Sequence, residues 1–590
     1  MYTLPKIERF NQNVLSKYHI YNSVFITLPF DAIDNTGVLL PLFSEVCDNG
    51  FKNNQSPVEI VNSFSMKYLD NVSEEDKISL LFRFIQYVER QIVLFDAIED
   101  AAFPVVNNME GKGSLRDVKE RADTKELKQE LLSFLEDFNV RAVLTAHPTQ
   151  FYPGSVLGII TDLTDAVRDN NLNKIKELLA QLGKTPFIKK EKPTPFDEAV
   201  SLIWYLENVF YQSSGEMLQY IQKNIFKDKP ISNSIINLGF WPGGDRDGNP
   251  FVTTEITLNV AERLRTSILK CYYSDIRKLK RKLTFSGIDA IISELENKIY
   301  RSVFYSKGTI YITLPELKNK LNEIKSICIE KHQSLYLDDI NDLINKVNLF
   351  GFHFASLDIR QNSKIHNHVI KTIFTSLGTA KEDYKNYFDF PEKKRFELLS
   401  KVSGSLTSDL FGDEMTKQTL DSIFAMKKIQ ENNGELGANR YIISNNESAL
   451  NVMETFTLFR LCNWKNPTVD IVPLFESIDD LQLADKIMEQ LYTNKLYAEH
   501  LKNRGNKQTV MLGFSDGTKD GGYLMANWGI YKAKQTITAI SRKYGIKVIF
   551  FDGRGGPPAR GGGKTHKFYA SLGSEIENQE IQLTVQGQTI

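Results

Sequence analysis

The sequence predicts a helix-rich α/β protein, in which a (β/α)8 barrel of the TIM type follows a helical N-terminal region. Three observations predict this fold class. Eight short runs of β-branched and aromatic residues recur along the 590-residue chain, polar or charged residues follow each run, and helical patterns separate the later runs. Strands that alternate with helices pair in parallel, and eight such strands can close into a barrel.

The predicted helical region covers residues 1–138. Its segment 74–99 carries apolar residues at helical spacing, among them Ile78, Phe82 and Ile85, and segment 125–138 repeats the pattern. Such spacing lines apolar side chains along one side of a helix. The barrel is assigned to residues 139–590.

The eight runs are predicted to be strands because they are too short for helices and rich in strand-forming residues. From the fourth run onward, the intervals match one βα unit. The first three intervals are longer and are predicted to hold helical insertions at about 151–234, 251–348 and 364–439. The predicted strands are 140–145, 235–241, 349–357, 440–444, 469–475, 508–514, 547–551 and 580–585.

Composition excludes several classes of protein. The chain has 72 Lys and Arg against 73 Asp and Glu, so its net charge of −1 argues against a nucleic-acid-binding protein and a polybasic membrane surface. Its four cysteines form no Cys-x-x-Cys pair, which argues against zinc ribbons and thioredoxin-type chemistry. With sparse cysteine, no signal peptide and no run of eighteen apolar residues, we expect a cytoplasmic protein without a membrane span.

The seventh run leads into a segment, 552–565, that holds six glycines and three cations. Glycine lets backbone N–H groups approach a ligand, and arginine offers a fork of donors to phosphate or carboxylate. The segment therefore predicts an anion site at a strand end. Pro558 stands where a nucleotide P-loop needs glycine, which argues against that motif, whereas an RNA-binding tail and a plain flexible loop stay open as alternatives.

A barrel would bring these strand ends into one pocket, because the carboxyl ends of its strands share one face. That pocket would collect several cations, which a phosphate-bearing substrate would balance. For Arg246, an alternative is that it only braces its loop by pairing with Asp245 or Asp247. The predicted pocket cations are Arg246, Arg360, Arg554, Arg560 and Lys519.

Two carboxylates and one histidine complete the predicted pocket. Glu476 and Asp516 follow the fifth and sixth runs, and two carboxylates beside a phosphate are typical of a Mg²⁺ or Mn²⁺ site. Pairing of these carboxylates with the arginines alone is the alternative. His147 follows the first run and titrates near neutral pH, so it is a candidate for proton transfer as well as for a structural role.

Six motifs of the chain resemble those of the phosphoenolpyruvate carboxylase family, and they occur in the family's order. They extend the resemblance over residues 140–590, whereas residues 1–138 resemble the family only as a helical region. The motifs are TAHPT at 145–149, GGDRDGNP at 243–250, LDIRQ at 357–361, PLFE at 473–476, GFSDGTKDG at 513–521, and GRGG at 553–556 with RGG at 560–562.

The resemblance implies a reaction in which phosphoenolpyruvate and bicarbonate give oxaloacetate and phosphate, with Mg²⁺ or Mn²⁺ as cofactor. Carboxyphosphate and the enolate of pyruvate are its intermediates, and oxaloacetate feeds the tricarboxylic acid cycle. For the full-length protein the resemblance also implies a homo-oligomer, a tetramer.

The resemblance also implies roles for individual residues. Glu476 and Asp516 would hold the metal, and Arg360 and Arg554 would bind the phosphate of phosphoenolpyruvate. His147 would handle the proton of carboxyphosphate, and Arg560 would contact carboxyphosphate or bicarbonate. Trp241 would border the bicarbonate side of the pocket, and Lys519 would support the pocket.

The chain departs from the family pattern at two places near these residues and at its end. Asp552 stands where the family usually has histidine, which puts a negative charge close to Arg554, and Gln150 stands where it usually has glutamate. The family's chain usually continues beyond the eighth run as helices, and we expect that portion to be absent here. Two alternatives stay open: a non-catalytic truncated barrel, and another barrel enzyme that uses phosphoenolpyruvate or pyruvate.

Overall fold

The structure is a computed structural model. It describes residues 4–26, 36–69, 72–145, 152, 154–187, 193–227, 233–305, 311–377, 382–553 and 565–586. The chain forms two compact units, one of residues 1–120 and 149–192, the other of residues 121–148 and 193–590. Among the described residues, none of the helices is long and apolar enough to cross a membrane.

The first unit is helical. In chain order, the helices of this unit and those that lead from it to the first strand are α1 (Lys6–Phe10), followed by a π-helical turn (Asn11–Leu15), α2 (Ser16–Ile26), α3 (Thr36–Lys52), α4 (Pro57–Tyr68), α5 (Glu74–Val106), α6 (Leu115–Thr124), α7 (Lys128–Asp137), α8 (Gly154–Arg168) and α9 (Leu172–Lys184). Helices α8 and α9 come from the segment that the sequence assigns to the first insertion of the barrel. They share one apolar core with α2 and α5.

Helix α5 is apolar on two sides. It begins at a capping box, in which the Ser73 side chain accepts a hydrogen bond from the backbone N–H of Asp76. One side of the helix contributes Phe84 and Tyr87 to the core, whereas Phe82 on the other side is 57% exposed. Helical spacing therefore predicts the helix correctly, but a helix with apolar residues on two sides does not reveal which side is buried.

The second unit contains a closed barrel of parallel strands in the order β1 to β8, as the sequence predicts. Strand β1 pairs with β2 on one side and with β8 on the other, which closes the sheet. The strands are β1 (Asn139–Thr145), β2 (Ile236–Phe240), β3 (Ser356–Asn362), β4 (Arg440–Ser444), β5 (Asp470–Phe475), β6 (Lys507–Gly513), β7 (Lys547–Gly553) and β8 (Glu580–Gln586).

Strand β3 lies later in the sequence than predicted. The predicted strand 349–357 overlaps a helix that ends at Phe350 and a turn in which Gly351 has φ +49° and Phe354 has φ +60°. The turn is apolar because Phe352 and Phe354 are buried in it, and an apolar run without periodicity does not distinguish a buried turn from a strand. As a consequence, Arg360 lies within β3 rather than in a loop after it.

Helices fill the intervals between strands, and long insertions follow β1, β2 and β3. After β1 come α10 (Pro195–Tyr205), a π-helical turn (Leu206–Phe210) and α11 (Tyr211–Asn224), and after β2 come α12 (Thr254–Lys282), α13 (Asp289–Phe304), α14 (Leu314–Lys331) and α15 (Leu337–Phe350). After β3 come α16 (Ser363–Leu377), α17 (Glu382–Lys385), α18 (Glu392–Lys401) and α19 (Glu414–Asn433). The later helices are α20 (Ala449–Leu461), α21 (Ile478–Thr493), α22 (Lys495–Asn503), α23 (Ser515–Lys543) and α24 (Thr565–Ala570).

A compact apolar cluster forms part of the barrel core. Trp241, the residue after β2, packs against this cluster and meets Phe551 edge to face with their ring centroids 6.0 Å apart. Close packing of this kind makes a barrel interior a solid support for the strand ends rather than a pore. The cluster consists of Val143, Ile442, Val472, Leu474, Met511 and Phe551.

Candidate active site

The loop after β2 stays paired with β3 and carries two carboxylates to Arg360. Arg360 donates its backbone N–H to the carbonyl of Gly244 at 3.1 Å, and the Arg246 N–H donates to the Arg360 carbonyl at 2.9 Å. A side chain at position 244 would overlap the carbonyl oxygen of Asp358, so this close approach needs glycine. The Arg360 guanidinium then lies 3.0 Å from Asp245 through Nη1 and 3.0 Å from Asp247 through Nη2.

The guanidinium of Arg360 remains charged and is held by carboxylates on both Nη atoms. Burial lowers its pKa, but Asp245, Asp247 and Glu476 outweigh that effect, so the pKa is raised overall. Burial also raises the pKa of Asp245, against the opposing effect of Arg360. Within the described part of the chain, Arg360 Nε is buried and has no hydrogen-bond partner.

Glu476 follows β5 and touches the same guanidinium. Its Oε1 lies 3.5 Å from Arg360 Nη2, and its Oε2 accepts the backbone N–H of Asn445 at 3.1 Å. Burial raises the pKa of Glu476 more than Arg360 lowers it, and the charges of Asp516 and Asp247 raise it further. A carboxylate held among other carboxylates in this way favours an additional cation.

Asp516 lies in the first turn of α23, after β6. Lys519 lies one turn further and donates from Nζ to Asp516 Oδ1 at 2.8 Å. This hydrogen bond raises the pKa of Lys519. The side chain of Lys519 is 76% exposed and that of Asp516 is 54% exposed, so the pair is accessible to solutes at the mouth of the barrel.

A cavity of about 160 Å³ joins these strand ends. Four of the predicted site residues line it: Trp241, Arg360, Glu476 and Asp516. Thr145 of β1, Gly553 of β7 and Thr584 of β8 contribute further walls. The cavity therefore combines one arginine, two carboxylates and an indole at the carboxyl ends of the strands, where barrel enzymes hold their substrates.

The same motifs identify the family. The family model of phosphoenolpyruvate carboxylase matches residues 53–304 and 293–590. The chain belongs to the phosphoenolpyruvate carboxylase family. The resemblance drawn from the sequence is thereby confirmed, and the match begins before its first motif, at residue 53.

Two relatives that carry the name phosphoenolpyruvate carboxylase are similar to this chain. The chain is 30% identical over 527 residues to the phosphoenolpyruvate carboxylase of Nitrosomonas eutropha, and 29% identical over 530 residues to that of Nitrosomonas europaea. Each alignment covers 78% of this chain and 56% of the relative. The chain thus spans about half the length of the curated relatives it matches.

Arg246, in the GGDRDGNP motif of the phosphoenolpyruvate carboxylase family, braces its own loop. Its guanidinium donates to the Gln418 carbonyl at 2.9 Å, to Gln418 Oε1 at 3.0 Å and to the Val252 carbonyl at 3.2 Å. Arg246 is buried and is not among the residues that line the cavity. Bracing is the alternative that the sequence left open, although the partner is Gln418 rather than Asp245 or Asp247.

Three residues that resemble the family's catalytic and phosphate-binding groups lie outside the described residues. They are His147, Arg554 and Arg560. The prediction that they share the pocket stays a prediction.

Asp552, which stands where the family usually has histidine, has partners that the sequence did not suggest. Its carboxylate lies 2.7 Å from Lys534 Nζ and accepts the Tyr569 hydroxyl at 2.6 Å. Lys534 is 1% exposed and Asp552 is 5% exposed, so the charge of Asp552 is compensated inside the protein by a lysine of α23. This contact joins strand β7 to helix α24, because Asp552 belongs to the strand and Tyr569 to the helix.

A second buried ion pair, between Arg141 and Asp358, was also missed. Arg141 of β1 and Asp358 of β3 are 1% and 0% exposed and approach to 2.6 Å. The available signal was a cation, Arg141, inside the first predicted strand and a carboxylate, Asp358, directly after the third, since buried charges require partners. Helical and strand periodicity do not identify which partners pair.

Proposed function

We propose that this chain carries the catalytic site of a phosphoenolpyruvate carboxylase, which converts phosphoenolpyruvate and bicarbonate to oxaloacetate and phosphate. The observation that carries the proposal is the cavity shared by Arg360, Glu476, Asp516 and Trp241 at the strand ends. Arginine with paired carboxylates suits a substrate that brings both phosphate and a divalent cation.

The donor set fits Mg²⁺ or Mn²⁺. Glu476 and Asp516 offer carboxylate oxygens, the ligands that these hard cations prefer. Among the described residues there is no group of three or more His, Cys, Asp or Glu that could hold a metal, and Mg²⁺ commonly uses one or two carboxylates with water and substrate phosphate. When bound, the cation neutralises negative charge on the phosphoryl group and the enolate oxygen.

Arg360 and Arg554 would bind the phosphate of phosphoenolpyruvate. What supports this role for Arg360 is that its side chain lines the cavity while Asp245 and Asp247 hold its two Nη atoms in place. Lys519 would add a mobile positive charge at the rim beside Asp516. Trp241 would form the wall on the bicarbonate side and keep water away from the reacting groups.

The reaction that we propose is the one that the resemblance to the family implies. A bicarbonate oxygen attacks phosphorus, the bond from phosphorus to the enol oxygen breaks, and carboxyphosphate and the enolate of pyruvate result. His147 would take the proton of carboxyphosphate, which divides into CO₂ and phosphate, while Arg560 would hold it in place. The enolate carbon attacks CO₂ to form oxaloacetate, which feeds the tricarboxylic acid cycle in the cytoplasm, and we propose a homotetramer as the working assembly.

A coupled assay of the purified chain tests this proposal. We expect phosphate and oxaloacetate to appear in equal amounts, only with bicarbonate and with Mg²⁺ or Mn²⁺. Formation of pyruvate together with a nucleotide product would identify another phosphoenolpyruvate-using enzyme instead. Phosphoenolpyruvate binding without turnover at saturating Mn²⁺ would favour the non-catalytic alternative.

A further inference from the structure

A buried ion pair lies inside the barrel, close to the cavity but outside it. Arg141 of β1 donates from Nη2 to Asp358 Oδ1 at 2.6 Å and from Nη1 to Asp358 Oδ2 at 3.1 Å. Both side chains are shielded from water, at 1% and 0% exposure. Gly239 of β2 makes room for the pair, because a side chain there would collide with the Arg141 guanidinium.

The ion pair contacts the cavity through Trp241. The indole Nε1–H of Trp241 donates to Asp358 Oδ2 at 3.1 Å. Asp358 thus receives two N–H groups from Arg141 and one from Trp241, which satisfies a carboxylate that has left water entirely. Because a charged acceptor forms stronger hydrogen bonds than a neutral one, the indole is held in one orientation.

Trp241 in turn supports Arg360. The guanidinium carbon of Arg360 lies 5.4 Å from the centroid of the Trp241 ring, within the range of cation–π attraction. Arg360 and Asp358 lie two residues apart on β3, so their side chains leave the same side of the strand. The contacts therefore form a continuous chain from Arg141 through Asp358 and Trp241 to Arg360.

We infer that Arg141 and Asp358 are positioning residues, which fix the Trp241 indole and through it set the direction of Arg360 toward the phosphate. This inference rests on the proposed function of the cavity. It assigns to the buried pair a task beyond stabilising the barrel, because a pair that only stabilised the fold would not need to receive the indole N–H.

Four forms of the 590-residue chain test the inference. The first is Trp241→Phe, which keeps a ring beside Arg360 but has no N–H to donate. The second is Arg141→Met with Asp358→Leu, which removes both buried charges together and so avoids leaving one unpaired. The third combines all three substitutions. The control, Arg395→Met with Glu454→Leu, removes another buried ion pair of the same unit, at 3.2 Å, that has no part in this chain of contacts.

The first readout is the dissociation constant of phosphoenolpyruvate in the presence of Mn²⁺, measured by calorimetry. We expect Trp241→Phe and the Arg141/Asp358 variant each to weaken binding by about five- to tenfold, the cost of one buried hydrogen bond. The combined variant should be no weaker than either, because all three residues act along one line of contacts. The Mn²⁺ affinity of every variant should stay within about twofold of that of the unchanged chain. The phosphoenolpyruvate affinity of the control variant should do the same.

The second readout does not depend on substrate. Indole ¹⁵N labelling gives one signal for each of the four tryptophans, and Trp241→Phe identifies that of Trp241. In the Arg141/Asp358 variant we expect this N–H to exchange with solvent faster and to shift, because its carboxylate acceptor is gone.

The two ways of failing are distinguishable. Unchanged phosphoenolpyruvate affinity in the Arg141/Asp358 variant, or losses that add in the combined variant, would overturn the positioning role and leave the proposed function standing. If the unchanged chain bound no phosphoenolpyruvate with Mn²⁺, the proposed function would fail and this inference with it. Should the Arg141/Asp358 variant not fold, Trp241→Phe still decides the outcome, since it leaves the ion pair intact.

Discussion

Arg360 Nη2 lies 3.5 Å from Glu476 Oε1, so the cation proposed to bind phosphate contacts the carboxylate proposed to bind the metal. Asp245 and Asp247 hold the same guanidinium at 3.0 Å each. The one positive charge of Arg360 is therefore shared among three carboxylates, and these four side chains together carry excess negative charge. A divalent cation would correct this imbalance, which links metal affinity and phosphate affinity at one guanidinium.

Arg360→Met should strengthen Mn²⁺ binding and abolish phosphoenolpyruvate binding. Removal of the cation leaves Asp245, Asp247 and Glu476 without their shared partner, so we expect Mn²⁺ affinity to rise by about fivefold or more. The measurement is Mn²⁺ titration by electron paramagnetic resonance without substrate.

Lys519→Met is the matched control for Arg360. Lys519 also pairs with a proposed ligand, Asp516, but its side chain is 76% exposed, whereas that of Arg360 is 17% exposed. Since salt screens exposed charges, the effect of Lys519→Met should vanish at high ionic strength while that of Arg360→Met persists. Equal salt dependence of the two variants would contradict the assignment of Arg360 to a buried, charge-sharing site.

Asp516→Asn should weaken Mn²⁺ binding by at least about tenfold. Loss of a residue that only supports a metal ligand typically weakens metal binding by about ten- to hundredfold, and we expect loss of the ligand itself to cost at least as much. Asp479→Asn serves as the control, since Asp479 is an exposed carboxylate of the neighbouring helix α21. Unchanged Mn²⁺ affinity in Asp516→Asn would show that Asp516 is not a ligand.

The barrel and its mouth could be predicted because strand-forming runs and the charged residues after them leave local marks in the sequence. Residue type and place alone single out Arg360, Glu476 and Asp516, and the structure shows that all three line one cavity. Strand β3 was placed too early because its neighbour, the buried turn after Phe350, is as apolar as a strand. Local composition reports burial there and does not report backbone conformation.

The buried ion pairs could not be predicted, since pairing depends on contacts between distant parts of the chain. Arg141 and Asp358 are 217 residues apart, and only closure of the barrel brings them together. Lys534 and Asp552 are separated by 18 residues, yet helix α23 and strand β7 must pack before they meet. In the sequence, Asp552 is only an unexplained charge beside Arg554.

Lys534→Met should destabilise the second unit strongly. It removes the buried cation that lies 2.7 Å from Asp552, and loss of one partner of a buried ion pair typically costs about 3–5 kcal/mol. Urea unfolding followed by circular dichroism measures the change.

The double variant Lys534→Met with Asp552→Leu separates buried charge from packing. Replacing both charges by apolar side chains of similar size is often neutral, so this variant should recover most of the lost stability. If it were as unstable as Lys534→Met alone, lost packing around the lysine stem rather than the lost ion pair would be the cause.

Asp96 should make the first unit less stable as pH rises through about 6. Burial, followed by the charges of Asp100 and Glu99, raises its pKa from 3.8 to about 6 in the folded protein. Between these two values the folded state binds more protons than the unfolded state, so stability is greatest below 3.8 and declines as the group ionises. Asp96→Asn should therefore raise the urea midpoint at pH 7 and leave it nearly unchanged at pH 3.5.

Asp76, on the same helix α5, is a control with the opposite sign. Hydrogen bonds from Ser73 lower the pKa of Asp76, so its contribution to the stability of the fold is present above pH 3.8 and is lost in acid. Asp76→Asn should accordingly lower the midpoint at pH 7, and the same direction of change in both variants would contradict the assigned environments.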